Sequence, residues 1–201
     1  MKQTLLSICM ILFALPVWSK TLTMDDLVGQ DGLYYKKFTD IPFTGEINGK
    51  LHEGSFKNGK KIGHWFTYFR DKKHLLELVR GNTKSQGFYK DGKIEGEYLT
   101  YYDNFQLKTK SYFKDNKIVG EALLYHENGE LRGKQNWKDG KHYGSWVHYD
   151  KNGNLKWQRH HKNGVKEGSW ISYFDNGQLC KKGNFKNGKR YGEWFEYFEV
   201  F

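Results

Sequence analysis

The chain has 201 residues, enough for one domain, and apolar residues make up only 37% of it while aromatic residues reach 17%. The aromatic content argues against a disordered chain, and the low apolar fraction argues against a thick globular core. We expect a thin, elongated structure that buries aromatic stripes. The formal net charge of +10 comes from basic residues that are spread along the sequence. This spread favours lysines that keep turns and solvent faces soluble, and we expect no nucleic-acid partner.

Residues 1–19 have the composition of an export signal. Lys2 supplies a positive start, an apolar run covers residues 5–15, and the segment ends on Ser19, a small residue of the kind that a signal peptidase reads. The pattern predicts a signal peptide cleaved after Ser19, because the apolar run is too short for a transmembrane helix. We therefore expect a periplasmic or secreted protein. Its one remaining cysteine, Cys180, cannot form an intramolecular disulfide.

A repeated segment fills the chain after a lead-in over residues 20–42. The string Phe-Lys-Asn-Gly-Lys occurs at residues 56–60 and again at residues 185–189. The same pattern begins at four positions between them, namely Tyr89, Phe113, Trp137 and His161. From Tyr89 onward each step is 24 residues, whereas the first step is 33, so nine extra residues lie around positions 75–85. We assign residues 43–201 to an array of six repeat units.

Three columns of residues keep the same spacing in all six units. The first is a glycine, at Gly63, Gly96, Gly120, Gly144, Gly168 and Gly192. Two residues later stands Trp65, Tyr98, Ala122, Trp146, Trp170 or Trp194. Three residues further a tyrosine recurs, at Tyr68, Tyr101, Tyr125, Tyr149, Tyr173 and Tyr197. Such columns indicate that every unit folds in the same way.

Each unit carries two turn signals. One is Asn-Gly or Asp-Gly before lysine, as at Asn58-Gly59, which suits a hairpin because both central positions accept positive φ. The other is an Asn-Gly ahead of leucine, as at Asn128-Gly129, which is degraded to Asn104-Phe105 in the second unit. Strands of about eight residues, rich in Trp, Tyr, Phe and Thr, remain between these turns. The sequence predicts an all-β fold, an elongated antiparallel sheet of about six tandem 24-residue β-hairpin repeats.

Alternation along each strand separates two faces, with Ile171 and Tyr173 on one and Trp170 and Phe174 on the other. We expect the first face to be buried, because the residues beside its tyrosines are all apolar: Phe66, Leu99, Leu123, Val147, Ile171 and Phe195. The other face then carries a candidate binding stripe, interrupted at Ala122 and formed by Trp65, Tyr98, Trp146, Trp170 and Trp194. The alternative is that these rings pack within the sheet, because most Trp is highly buried.

The sequence pattern predicts no catalytic, metal or cofactor site. The eight histidines show no metal-binding spacing, and we expect His160 and His161 on a strand surface. Glu97, Glu121 and Glu193 recur at equivalent positions, which favours pairing with lysines across strands over a catalytic carboxylate pair. We therefore expect a protein that is not an enzyme and that needs no cofactor or metal.

The last unit, residues 185–197, reads Phe-Lys-Asn-Gly-Lys-Arg-Tyr-Gly-Glu-Trp-Phe-Glu-Tyr and resembles the MORN repeat variant. The resemblance extends over about residues 43–198. The lead-in at residues 33–45 is similar to the segment before such repeats in exported bacterial proteins that are often labelled YwqK-family antitoxins. The resemblance implies an antiparallel repeat sheet and a role in protein or membrane contacts, and it supplies no catalytic residues.

Three functions fit these patterns. The first is a non-enzymatic scaffold that mediates protein–protein interaction outside the cytoplasm through the aromatic stripe. The second is binding of an anionic membrane surface or acidic glycan through the lysine-rich turns, which salt would weaken. The third is an antitoxin or immunity protein of a toxin–antitoxin pair. A homodimer is a further expectation, because an edge strand over residues 193–201 offers unpaired backbone groups.

Overall fold

The structure, a computed structural model, describes residues 21–69 and 83–198. Within these ranges the chain forms one 3₁₀ turn, Met24–Asp26, and fifteen β-strands. The strands are β1 Leu27–Gln30, β2 Leu33–Lys36, β3 Gly45–Asn48, β4 His52–Lys57, β5 Lys60–Tyr68, β6 Thr83–Lys90, β7 Lys93–Tyr101, β8 Leu107–Lys114, β9 Lys117–Tyr125, β10 Leu131–Lys138, β11 Lys141–Tyr149, β12 Leu155–Lys162, β13 Val165–Tyr173, β14 Leu179–Lys186 and β15 Lys189–Glu196. The predicted signal peptide and most of the predicted nine-residue insertion lie outside the described residues.

Strands β3 to β15 form one antiparallel sheet in which strands that follow each other in the chain are also neighbours in space. Six consecutive hairpins, from β4–β5 to β14–β15, correspond to the six repeat units, and β3 adds a strand before the first of them. This arrangement confirms the predicted all-β sheet of tandem hairpins. Strands β1 and β2 form a separate two-stranded sheet within the lead-in.

The Asn-Gly and Asp-Gly signals form the tight turns inside each hairpin. In the first repeat Asn58 has φ 49° and Gly59 has φ 75°, the left-handed values that a type I′ turn requires at both central positions. The third repeat has Asn116 in place of the glycine, with φ 65°. Asparagine tolerates this conformation because its short side chain bonds locally, and here Oδ1 of Asn116 accepts a 2.7 Å hydrogen bond from the N–H of Ile94.

The tight turns also bond to the preceding repeat. The backbone N–H of Gly92 donates to the carbonyl of Lys61 at 2.9 Å. The later turns repeat this bond one unit further along each time: Asn116 to Ile94, Gly140 to Ile118, Gly164 to His142 and Gly188 to Lys166. These bonds couple each hairpin to its neighbour, so stability in the array depends on the contacts between repeats as well as within them.

The second turn signal connects one repeat to the next. After β9 the N–H of His126 donates to the carbonyl of Glu130 at 2.8 Å, and Gly129 has φ 88°. In the second repeat Phe105 occupies the glycine position with φ 67° and is 53% exposed. A residue with a side chain costs about 1–2 kcal/mol in this left-handed conformation, and a half-exposed ring does little to offset that cost.

Phe105→Gly is therefore expected to raise the free energy of unfolding by about 0.5–1 kcal/mol. The substitution relieves the backbone strain, and the greater conformational freedom of glycine in the unfolded chain offsets part of that gain. Gly129→Ala, which creates the same strain one repeat later, is expected to lower it by about 1 kcal/mol. Urea unfolding followed by circular dichroism measures both changes. A Phe105→Gly variant that is less stable than the parent protein would contradict the assignment of strain to this turn.

The more deeply buried face of the sheet is the one that carries the tryptophan column, not the one predicted. On the face of the tryptophan column, Trp65, Ala122 and Trp146 are 4%, 2% and 9% exposed. On the other face Phe66 is half-buried, as are its counterparts in the next four repeats, and Phe195 is 47% exposed. The prediction that the Phe66 set is the buried stripe is wrong. In the described residues no second sheet covers that apolar column, whereas the aromatic rings of the other face bury one another.

The lead-in covers the tryptophan-bearing face at the first repeat. The centre of this core is formed by four buried residues, Leu27, Ile47, Phe56 and Trp65. Around them lie partly buried side chains from the lead-in, the start of the array and the second repeat, namely Leu22, Met24, Tyr34, Phe43 and Tyr89. The Phe56 ring lies 4.9 Å from Tyr34 and 5.6 Å from Phe43 between centroids. The lead-in therefore caps one end of the array.

Candidate functional site

The cross-strand register assembles one continuous surface, which we call the Trp face. Trp65 is paired with Gly87, Gly87 with Tyr98, and Tyr98 with Ser111, and paired residues point to the same side of a sheet. The row continues through Ala122, Gln135, Trp146, Arg159, Trp170 and Gly183. Trp194 completes it, with its ring over Gly183. All five predicted binding residues thus lie in one row, in which Trp65 and Trp146 are buried and Tyr98, Trp170 and Trp194 are half-buried.

A second aromatic row runs beside the first and was not predicted. It consists of the residues that open the six repeat strings, namely Phe56, Tyr89, Phe113, Trp137, His161 and Phe185. The rings of the two rows interleave, with centroids 4.8 Å apart for Trp170 and Phe185 and 5.0 Å for Phe185 and Trp194. The signal for this row was the recurrence of a ring-bearing residue at the start of every repeat string. Together the rows form a ladder of rings that is interrupted at Ala122.

Backbone carbonyls fix the orientation of the tryptophan rings. Nε1 of Trp146 donates to the carbonyl of Asn136 at 2.9 Å, and Nε1 of Trp170 donates to that of His160 at 3.2 Å. Both acceptors lie where the strand register shifts, at β-bulges that leave a residue outside the regular ladder. Carbonyls at or beside these bulges accept the indole N–H of all four tryptophans in the column, Trp65, Trp146, Trp170 and Trp194.

Glycines beneath three of the rings let them lie flat on the sheet. The pairs are Gly54 with Trp65, Gly87 with Tyr98 and Gly183 with Trp194, and a Cβ at any of these glycines would overlap the ring. The third repeat combines Ser111 with Ala122 and has no ring to accommodate. The fourth and fifth repeats have Gln135 and Arg159 at the glycine position, so a long polar side chain stands beside the tryptophan.

In the last two repeats, cationic side chains lie across these rings. The guanidinium carbon of Arg159 is 4.8 Å from the Trp170 centroid, and Nζ of Lys166 is 4.7 Å from it. The guanidinium carbon of Arg190 is 4.5 Å from the Trp194 centroid. Cation–π contacts of this kind hold each charge against the aromatic surface of the Trp face.

These side chains line a shallow cavity of about 250 Å³ on the Trp face of β12 to β15, which we call the cationic cavity. Its charged groups are Arg159, Lys166, Lys181 and Arg190, and its rings are Trp170, Phe185 and Trp194. Glu196 lies 2.6 Å from Nζ of Lys181 and 3.4 Å from Nη1 of Arg190. Arg159 and Lys166 form no ion pair with a carboxylate of the described residues. The cavity therefore carries an excess of positive charge.

Carboxylates are divided unequally between the two faces of strands β4 to β15. By strand register, the face opposite the Trp face carries Glu53, Glu95, Glu97, Glu121, Glu167 and Glu193. There Glu97, one of the three recurring glutamates, forms the predicted kind of ion pair, with Lys110. On the Trp face of these strands Glu196 is the single carboxylate. The Trp face is thus aromatic and cationic, whereas the opposite face has mixed charge.

His161 is packed into the second aromatic row rather than lying on an exposed strand surface as predicted. Its ring lies 5.6 Å from that of Trp170 and 5.1 Å from that of His142. Burial, followed by the nearby positive groups of His142, Arg159 and Lys166, lowers the pKa of His161 to about 4. Nδ1 of His161 is buried and has no hydrogen-bond partner among the described residues.

His161→Phe is expected to raise the free energy of unfolding by about 1 kcal/mol at neutral pH, because it removes the buried Nδ1. Phe185 shows that the row accepts phenylalanine one repeat later. The variant should also be less sensitive to acid. The pKa of His161 is about 4 when folded and about 6.5 when unfolded. The unfolded chain therefore binds the proton first, and stability is lost as the pH falls from about 6.5 towards 4.

Thermal unfolding between neutral pH and the acid end of that window measures this effect. The control is His64→Phe, because His64 is exposed on the opposite face, beside Phe88. We expect the control to keep the pH dependence of the parent protein. Equal pH dependence in the parent and both variants would overturn the role assigned to His161.

Side chains able to hold a metal do not cluster in groups of three or more within residues 21–69 and 83–198. In the same ranges no helix has the length and apolarity to cross a membrane. Cys180 is a free and half-buried thiol on β14.

The sheet and its Trp face define a tandem β-hairpin repeat protein. The chain contains MORN repeat variants, since the model of that family matches residues 118–139 and 166–187. Each matched segment covers two strands joined by a wide turn, β9 with β10 and β13 with β14. MORN repeats are in general modules that bind proteins or membranes.

Among solved structures, the chain is similar to one in the crystal structure of the GtfA/B complex bound to UDP and GlcNAc. The two are 11% identical over 88% of this chain and 26% of that chain, with a TM-score of 0.19. This chain thus spans about a quarter of the other, and a likeness at that TM-score says nothing about function. No curated protein matches the chain.

Proposed function

We propose that the protein is a non-enzymatic scaffold that binds a protein partner outside the cytoplasm through its Trp face. The observation that carries this proposal is the surface of the last two repeats, where half-buried rings and cations stand together with one carboxylate, Glu196. Aromatic residues and arginine are enriched at the centres of protein interfaces and supply most of their binding energy. A rigid sheet presents such anchors at little entropic cost.

In this proposal some residues of the predicted stripe stabilise the fold and others contact the partner. Trp65 lies beneath the lead-in at 4% exposure, so it acts in the core, and Trp146 is nearly as buried at 9%. Trp170 and Trp194 are half-buried, and they are the members of the stripe that we assign to the partner. Trp157 joins them on the same face, stacked on His148 with centroids 5.2 Å apart.

The test compares partner capture by Trp157→Ala and Tyr143→Ala. Trp157 is half-buried on the Trp face, and Tyr143 is a 43% exposed ring on the opposite face. We expect a partner co-purified from the native host to be lost or strongly reduced with Trp157→Ala and retained with Tyr143→Ala. Thermal unfolding of both variants verifies that each is folded. Identical partner profiles for the parent and both variants would sink the proposal.

A second candidate function is binding of anionic lipid or acidic glycan through the turns. The observation in its favour is a series of exposed lysines that follow five of the six tight turns: Lys60, Lys93, Lys117, Lys141 and Lys189. Co-sedimentation with anionic vesicles at low and high salt tests it, because binding by exposed charges weakens as salt increases. Equal sedimentation with neutral and anionic vesicles would exclude this function.

Export is part of the proposal, and the sequence pattern of residues 1–19 supports it. We expect the protein in the periplasmic or culture fraction of the native host. Amino-terminal sequencing of that material should begin at Lys20. Recovery only from the cytoplasm with an intact amino terminus would contradict export without affecting the assignment of the Trp face.

A further inference from the structure

We propose that the cationic cavity binds an extended acidic segment of the protein partner, with Asp or Glu side chains placed against Arg159, Lys166, Lys181 and Arg190. This inference rests on the proposed function and names the chemistry that the partner brings to the Trp face. The cavity holds four cations, whereas Glu196 is the one described carboxylate in contact with them. An acidic segment would supply the missing counter-charges.

The spacing of the charges favours an extended ligand. Lys166 and Arg190 occupy the same position in successive repeats, 24 residues and two strands apart. Two strand spacings correspond to about 10 Å between their backbones. Neutralising the cavity takes more than one further anionic group, since its four cations face one carboxylate, Glu196. A peptide in extended conformation carries side chains on one side every second residue, about 7 Å apart, so successive acidic residues on that side reach successive cations.

The arrangement of the rings favours carboxylates over a sugar. The cations of Lys166 and Arg190 lie over the faces of Trp170 and Trp194, at 4.7 and 4.5 Å from the centroids. A sugar that stacked on these same faces would have to displace the cations. A carboxylate meets them where they lie, and apolar atoms of the peptide then pack on the remaining ring surface.

Positive charges on the Trp face also contribute to the lowered pKa values of two histidines, His148 and His161. Burial and the charges of Arg132, His126 and Arg159 lower the pKa of His148. The pKa of His161 is lowered by burial and by several cationic neighbours, among them Lys166. Burial is the larger cause of both shifts, and the positive neighbours, which would attract an anion, add to it.

The experiment measures binding of a fluorescent acidic peptide, with glutamate at alternate positions, to the purified parent protein and two variants. Lys166→Gln/Arg190→Gln removes two charges from the cavity. The control, Lys117→Gln/Lys141→Gln, removes two charges from exposed turns of other repeats. We expect the cavity variant to weaken binding at least about tenfold and the control less than about twofold, since each lost charged hydrogen bond is worth about a factor of ten. The glutamine counterpart of the peptide should bind the parent protein far more weakly.

Three results would overturn the inference. One is an equal loss of affinity in the cavity variant and the control. Another is sedimentation of the protein with anionic vesicles, dependent on Lys166 and Arg190, without binding of the acidic peptide. The third is retention of the native partner by Lys166→Gln/Arg190→Gln when Trp157→Ala loses it. That third result would contradict the acidic segment but not binding of a partner through the Trp face. Identical capture of the partner by all variants would contradict both proposals.

Discussion

Trp65→Ala is expected to lower the free energy of unfolding by about 3–5 kcal/mol, the range for removing a buried Trp or Phe side chain. Trp65 is 4% exposed, and its ring lies 4.9 Å from Phe56 between centroids. Its Nε1 donates to the carbonyl of Ser55 at 3.2 Å, and Nζ of Lys61 lies 4.2 Å from the ring centroid. Truncation would open a cavity beneath the lead-in and leave that lysine over an empty space.

Trp194→Ala is the matched control, because Trp194 occupies the same position in the last repeat. It keeps the same kind of indole bond, to the carbonyl of Asn184 at 3.1 Å, but is half-buried on β15 with no lead-in above it. We expect a loss of about 1–2 kcal/mol, in proportion to the smaller apolar area buried. Urea unfolding measures both variants. Equal losses would show that the repeat position, and not the capping lead-in, sets the contribution of the ring.

Gly54→Ala is expected to destabilise the protein by about 2–3 kcal/mol, although it adds a single methyl group to a strand. That methyl would overlap the Trp65 ring, which packs against Phe56 and is covered by the lead-in, so the ring has no room to move. The control is Gly29→Ala in β1, where the new Cβ would lie 3.6 Å from the Tyr34 ring. We expect that variant to lie within about 0.5 kcal/mol of the parent protein.

A double-mutant cycle assigns the cost of Gly54→Ala to the ring. Once Trp65 is alanine, the methyl group at position 54 has no ring to displace and should cost little. The two substitutions should therefore be non-additive by about 1–3 kcal/mol. Additive effects would mean that the glycine is required for the strand itself rather than as a platform for the indole.

The strand order and the turns could be predicted because their causes are local. Asn58-Gly59 and its counterparts allow positive φ at adjacent positions, and that geometry alone joins neighbouring strands into a hairpin. The constant 24-residue spacing then places equivalent residues in register across the sheet. Homodimerisation through the last strand stays a prediction. Within the described residues β15 is paired with a neighbouring strand on one side only, and its Tyr191 side chain is 59% exposed.

The buried face could not be predicted, because burial depends on what lies above a residue in space. Phe66 and its counterparts form an apolar column, but nothing in the described residues covers them. Trp65 is buried because the lead-in, which has no repeat signature, returns over the first hairpin. The cationic cavity was missed for a similar reason. Arg159 stands in the column of Gly54 and Gly183, and only the cross-strand register brings it beside Trp170.

The most direct test of the proposed binding face uses two serines of one strand. Ser172 is paired with Trp157 and Lys181 on the Trp face, whereas Ser169 is paired with Asn184 on the opposite face, and both are half-buried. A photo-crosslinking amino acid at each position, in protein expressed in the native host, reports which face contacts the partner. We predict a crosslinked protein species from position 172 and none from position 169. Crosslinks from position 169 alone, or equally from both, would contradict binding through the Trp face.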